Sequence, residues 1–205
     1  MCIRDRDLID EFATFYAAGT DTTSHTLMET IYLLSLHPEI DKKVREEIDK
    51  HIPTLDDITF ENLKKLAYFD CVQNEIIRYC GPGGFLFWRE SLTDQMFGNV
   101  AVEKGLYIGA NSIPSHFNPT YYKNPQEFRP ERWEKECDNL PPYAFCGFSA
   151  GPRSCIGKGL SILESKVILV IFLKRYKSFK LSASELKWTF GSSYEPQRFD
   201  TELVK

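Results

Sequence analysis

The sequence predicts a mainly α protein with small β-sheets. Apolar residues recur at intervals of three and four over residues 7–36, 38–52 and 59–80, and a further apolar helix pattern follows Gly157. Between residues 85 and 110 short strand-like segments bounded by turn residues replace that period. Residues 114–154, rich in Pro, Asn and aromatic residues, hold no sustained period and read as a long ordered meander, the type of segment that carries function.

The elements follow in chain order. From Asp7 to Leu36 the helix is marked by Leu8, Phe12, Phe15 and Tyr16, then by Leu27, Ile31 and Leu34, and His37-Pro38 ends it. Pro38 suits the first turn of the next helix, PEIDKKVREEIDKHI, whose Ile40, Val44 and Ile48 form a thin apolar stripe beside many charges, as on a surface helix. A third helical region runs from about Thr59 to Cys80 with a break near Ala67, and Gly81-Pro82-Gly83-Gly84 stops it. FLFWRE and VAVEKGLYIG read as strands, the second folding back at Lys104-Gly105, with Phe85, Phe87 and Trp88 as sheet core. Gly157 to Tyr176 is apolar nearly all round, hence a buried helix, and Ser178 to Lys205 reads as a further small hairpin.

Composition sets limits. A chain of 205 residues with 42% apolar and 26% charged residues fits one globular domain. A net charge of -4, with no Lys/Arg cluster, excludes a nucleic-acid partner. The six cysteines, at 2, 71, 80, 137, 146 and 155, form no C-x-x-C, and His25, His37, His51 and His116 form no H-E-x-x-H, so a zinc site of short ligand spacing is not expected and most thiols read as reduced. The longest strongly apolar run, Val167 to Leu173, falls short of the roughly 20 residues that cross a bilayer. The chain opens inside a helical pattern that MCIRDR fits poorly, so residues 1–205 are expected to be a single partial domain, a fragment whose N-terminal part is absent.

The chemistry concentrates in PYAFCGFSAGPRSCIGKGLS, residues 142–161. Cys155 lies two residues after Arg153 and just before a helix start near Gly157, and a positive fork and a helix N-terminus both favour thiolate over thiol. Gly151 and Gly157 remove side chains on either side, which would admit a flat cofactor and leave N–H groups to donate to sulfur. A buried free cysteine is the plain alternative. A phosphate loop is not, because five residues separate Gly151 from Gly157 and Gly159 replaces the hydroxyl required after Lys158.

FSAGPRSCIG, Phe148 to Gly157, resembles the haem-binding signature of cytochromes P450, F-x-x-G-x-R-x-C-x-G, at every fixed position. Three other segments agree in the family's order. AAGTDTT, Ala17 to Thr23, resembles its oxygen-activating turn; Glu75-Ile-Ile-Arg78 is similar to its E-x-x-R motif; and FRPERW, Phe128 to Trp133, resembles its meander segment. Read without the family, Asp21 caps a new helix near Thr22, and Glu75 with Arg78 is a helical salt bridge whose face, shared with Cys71, Val72 and Tyr79, turns it inward.

The resemblance implies the C-terminal part of the P450 fold: long central helix, E-x-x-R helix, small sheet, meander, cysteine-ligand loop and buried helix. It implies heme b with Cys155 as axial thiolate, Arg153 at a propionate, Phe148 near the sulfur, and Arg89 at a second propionate. Gly19 would open space over the haem, Asp21 and Thr22 would deliver protons for dioxygen activation, and Glu75, Arg78 and Arg132 would form a structural network beneath it. The loop before Phe85 and the Gly191 to Tyr194 turn would border the substrate cavity, while His116 is assigned no role. The implied activity is a monooxygenase acting on a small apolar organic substrate with dioxygen and NADPH-derived electrons from a P450 reductase or other donor. A haem-thiolate isomerase or dehydratase of peroxides and a truncated chain unable to hold haem are the alternatives. The location implied is intracellular, at the endoplasmic reticulum membrane if an upstream anchor is present.

Overall fold

A computed structural model describes residues 4–83, 88–181, 188–190, 194–196 and 201–204, without the side chains of residues 181–200. It is mainly helical with small antiparallel sheets. Helix α1 spans Asp5–Leu36 without interruption. His37 closes it by donating its N–H to Leu33 and Leu34 carbonyls, and Pro38, which lacks the N–H that a first helical residue leaves unused, opens α2, Pro38–His51. Ile40, Val44 and Ile48 of α2 are buried on one side.

A short helix α3, Phe60–Leu63, is capped by Thr59 Oγ1, which accepts the Asn62 N–H at 3.2 Å. Helix α4, Ala67–Cys80, has no cap of its own. Glu47 of α2 supplies one, accepting the N–H groups of Tyr68 and Phe69 at 2.8 and 2.9 Å. At the far end Gly81 is required by space, because a Cβ there would stand 2.5 Å from the Ile77 carbonyl oxygen. A four-residue helix α5, Ile113–His116, precedes the meander, and α6, Lys158–Arg175, follows the cysteine loop. Arg45 of α2 caps α6, donating from Nη1 to the Leu173 and Tyr176 carbonyls. The core lies where α1, α2, α4 and α6 meet, around Leu34, Val44, Ile76 and Val170.

Strands β1 (Arg89–Glu90), β2 (Gln95–Phe97), β3 (Val100–Val102) and β4 (Tyr107–Ile108) pair as β1 with β4 and β2 with β3. The segments either side of Lys104-Gly105 therefore pair elsewhere, not with each other; the tight turn is at Gly98, whose φ of +56° suits glycine. Trp88 is exposed and outside the strand, its indole lying over Gly109, while Phe85 and Phe87 lie outside the described residues. The tail carries two antiparallel pairs, β5 (Ser178–Leu181) with β8 (Thr201–Val204) and β6 (Trp188–Phe190) with β7 (Tyr194–Pro196). Helix α6 is buried on one face only: Leu169, Val170 and Leu173 are inside, whereas Leu160, Ile168 and Ile171 reach the surface. Buried Lys166 interrupts the apolar face, its Nζ held by Asp70 and the Leu63 carbonyl. Among the described residues no helix is long and apolar enough to cross a membrane.

Candidate haem-thiolate site

The densest polar construction is centred on Glu75 in α4. Its fully buried carboxylate accepts from Arg78 Nε and Nη2 at 2.9 and 2.7 Å, from Arg132 Nε at 2.9 Å, from the Arg129 N–H at 2.9 Å and from Trp133 Nε1 at 2.9 Å. Two guanidiniums against one carboxylate leave an excess positive charge, which backbone carbonyls absorb. Arg78 donates to His116, Pro125 and Glu127, and Arg132 to Lys123, Asn124 and Glu127. A buried charge without such partners would be costly. The network thus fastens the meander, from α5 to the 3-10 turn at Pro130–Glu134, onto α4.

From that anchor the chain enters the cysteine loop. The ring of Trp133 meets Phe145 edge-on at 4.8 Å, and the Ser115 and Tyr122 hydroxyls both donate to the Ala144 carbonyl. Gly147 lies against Ile77 of α4 so closely that a Cβ would collide with it. The loop then closes on itself: Ser149 N–H donates to Cys146 O at 3.0 Å, and Cys155 N–H to Phe148 O at 2.9 Å. Ser149, at φ +60°, and Gly151, at φ +72°, supply the left-handed turns that bring Cys155 back. Arg153 is exposed, and Phe148 is half-buried with Lys158 Nζ 5.7 Å from its ring centre.

Cys155 is exposed, flanked by Ile156 and Leu160, which are 85% and 69% exposed. A Cβ on Gly151 or Gly159 would meet nothing within 4 Å, and one on Gly157 only the Cys155 sulfur at 3.8 Å. An open surface of glycines and exposed apolar side chains around a thiol, with the Arg153 cation close by in the chain, fits a flat hydrophobic macrocycle with acidic edges bound through sulfur.

On α1, the Ala17–Thr23 segment stays helical, so Asp21 does not cap a new helix. Threonine hydroxyls instead bond back along the helix: Thr22 to Ala18 O at 2.8 Å, Thr26 to Thr22 O at 3.0 Å and Thr30 to Thr26 O at 2.7 Å. Asp21 and Thr22 are exposed, and a Cβ on Gly19 would find open space. Thr23 points the other way, its Oγ1 3.2 Å from Ser161 Oγ of α6. That contact brings the acid–alcohol turn to the helix that leaves Cys155.

Arg89 is exposed, with a described hydrogen bond to the neighbouring Trp88 carbonyl. The Gly191 part of the expected cavity border lies outside the described residues. Sequence reasoning missed His116: its ring Nε2 accepts the Cys146 N–H at 3.1 Å, and burial, with Arg78 nearby, pushes its pKa down to about 4. It also missed Trp133 as a Glu75 donor. Neither lies in a periodic segment, and their partners are 30 and 58 residues away.

The family model described as Cytochrome P450 matches residues 3–199. Cytochrome P450 3A9 of Rattus norvegicus is 35% identical over 175 residues, which is 85% of this chain and 35% of that protein. Cytochrome P450 4V2 of Mus musculus is 38% identical over 180 residues, 85% of this chain and 33% of that protein. Cytochrome P450 3A5 of Homo sapiens is 33% identical over 178 residues, 87% of this chain and 35% of that protein. The chain spans about a third of the length of the curated relatives it matches.

Proposed function

The chain belongs to the cytochrome P450 family, and on that premise we propose that it is the haem-holding, oxygen-activating portion of a haem-thiolate monooxygenase. Such an enzyme places one atom of dioxygen in a small apolar organic substrate and reduces the other to water. Two electrons come from NADPH through a reductase or other donor, and two protons from solvent. The observation that carries the reading is the Thr23–Ser161 contact, because it sets the Asp21-Thr22 turn beside the helix that follows the exposed Cys155 sulfur.

In this assignment Cys155 Sγ would hold the iron of heme b, Arg153 and Arg89 would take its propionates, Phe148 would lie near the sulfur, and Gly19 would leave space for it. Bound there, the haem supplies the redox centre, and thiolate ligation is the arrangement that favours O–O cleavage. The chain's own residues handle the protons. Thr22 Oγ1 keeps its hydrogen on the Ala18 carbonyl, a weak local bond that rotation about one side-chain torsion releases. Asp21, exposed to water one residue earlier, would relay protons from solvent to that hydroxyl through water. Glu75, Arg78 and Arg132 touch no reacting atom in this scheme; they hold the loop and retain the cofactor.

The test is the reduced, carbon monoxide-bound spectrum of the haem-loaded protein. The red-shifted band of thiolate-ligated iron is expected, and Cys155→Ala should abolish it. An unsubstituted protein without that band would refute the assignment. Turnover of a lipid hydroperoxide in the absence of NADPH and reductase would instead mark a peroxide isomerase or dehydratase.

A further inference from the structure

His116 sits at the end of α5, buried, and takes part in two hydrogen bonds, one through its carbonyl and one through its ring. Its carbonyl accepts from Arg78 Nη1 at 2.9 Å, which ties it to the Glu75 network. Its ring accepts the Cys146 N–H at 3.1 Å, which ties it to the cysteine loop. Beyond Cys146 two backbone bonds close the loop: Cys146 O takes the Ser149 N–H, and Phe148 O, in the same peptide group as that N–H, takes the Cys155 N–H. Phe145 packs beside the imidazole, ring centres 5.4 Å apart, which limits its rotation.

We propose that His116 is a positioning residue for the thiolate: by accepting the Cys146 amide proton it couples the buried Glu75–Arg78–Arg132 network to the loop and so directs the Cys155 sulfur. The inference rests on the reading of Cys155 as the haem ligand. The physical reason is that the loop from Ala144 to Cys155 carries left-handed residues and no regular ladder, so its shape depends on side chains that seize its polar groups. Ser115 and Tyr122 hold it at Ala144, two residues earlier; His116 holds the amide of Cys146, whose carbonyl takes the Ser149 N–H. With Nε2 as acceptor, the ring's proton belongs on Nδ1, and a neutral ring keeps the lone pair that the bond needs.

The test compares His116→Phe, His116→Leu and His116→Gln in the full haem-loaded protein. Phe and Leu remove the acceptor, while Gln places an amide oxygen at similar reach. Amide hydrogen exchange at Cys146 is expected to quicken at least tenfold in the Phe and Leu variants and to return to within about threefold in Gln, with α4 amides unchanged in all three. The thiolate-type carbon monoxide band is expected to lose at least half its share to the thiol-type band in Phe and Leu, and to recover in Gln. Should Phe and Leu fail to fold, Gln alone decides: retained Cys146 protection and band support the proposal, and loss of either overturns it. Unchanged exchange at Cys146, equal acceleration across α4, or an undisturbed band in the Phe variant also overturns it. An unsubstituted protein without the thiolate band sinks the haem assignment and this inference together, whereas a normal parent band with an indifferent His116→Phe sinks this inference alone.

Discussion

Glu29 shows how much one side chain can conceal. It lies in α1, fully buried, with neither carboxylate oxygen in a well-formed hydrogen bond among the described residues, and burial holds its pKa well above the ordinary carboxylate range, the neighbouring Cys80 thiol offsetting part of that rise. The folded chain therefore binds this proton more tightly than the unfolded chain. Its contribution is favourable at acid pH and is lost as pH rises from about 4.3, the unfolded value, through the raised folded value. Glu29→Met should stabilise the protein by about 1–3 kcal/mol at neutral pH, because an apolar side chain replaces an unpaired acid. It should also flatten the decline of urea midpoint between pH 5 and 8. Parallel pH profiles for parent and variant would contradict this account. Nothing in the spacing around Glu29 sets it apart from an exposed glutamate, so its burial was illegible until α4 was packed against α1.

At the scale of elements, helices were legible and their surroundings less so. The Asp7 to Leu36 period predicted α1, yet Phe12, in its apolar stripe, is 70% exposed, since period reports which residues share a face and not what covers it. The short strands between residues 89 and 108 were legible as strands, but their partners were not, because pairing is settled by contacts between distant residues. Gly147 shows the same division in the cysteine loop. The sequence places a glycine before the F-x-x-G motif, and only packing shows that Ile77 of α4 leaves it no room for a side chain. Gly147→Ala should cost about 1–3 kcal/mol through displacement of the loop, read as a lower thermal midpoint and a faster loss of haem. An unchanged midpoint would mean that the loop relaxes freely away from α4.

For the whole molecule, the Glu75 network is the junction between helical core and meander. Glu75→Gln leaves Arg78 and Arg132 buried and aims their three donors, with the Arg129 N–H and Trp133 Nε1, at one neutral amide, and should cost about 3–5 kcal/mol in denaturant unfolding; a loss below about 1 kcal/mol would show that the carbonyls alone carry both guanidiniums. The chain's residues by themselves determined the helical class, the order of the segments and the motif around Cys155, because periodicity, turn chemistry and short-range spacing are local properties. The E-x-x-R pair was equally plain, since residues three apart on a helix must be neighbours. Only the tertiary structure decided that Trp133 and the Arg129 amide complete the Glu75 site, that His116 grips Cys146, that Thr23 meets Ser161 and that Glu29 is sealed inside. Each joins residues far apart in the chain, or a helix face to a cover that its own period does not specify, and such choices follow from how the burial of all faces and the partners of all polar groups are satisfied together.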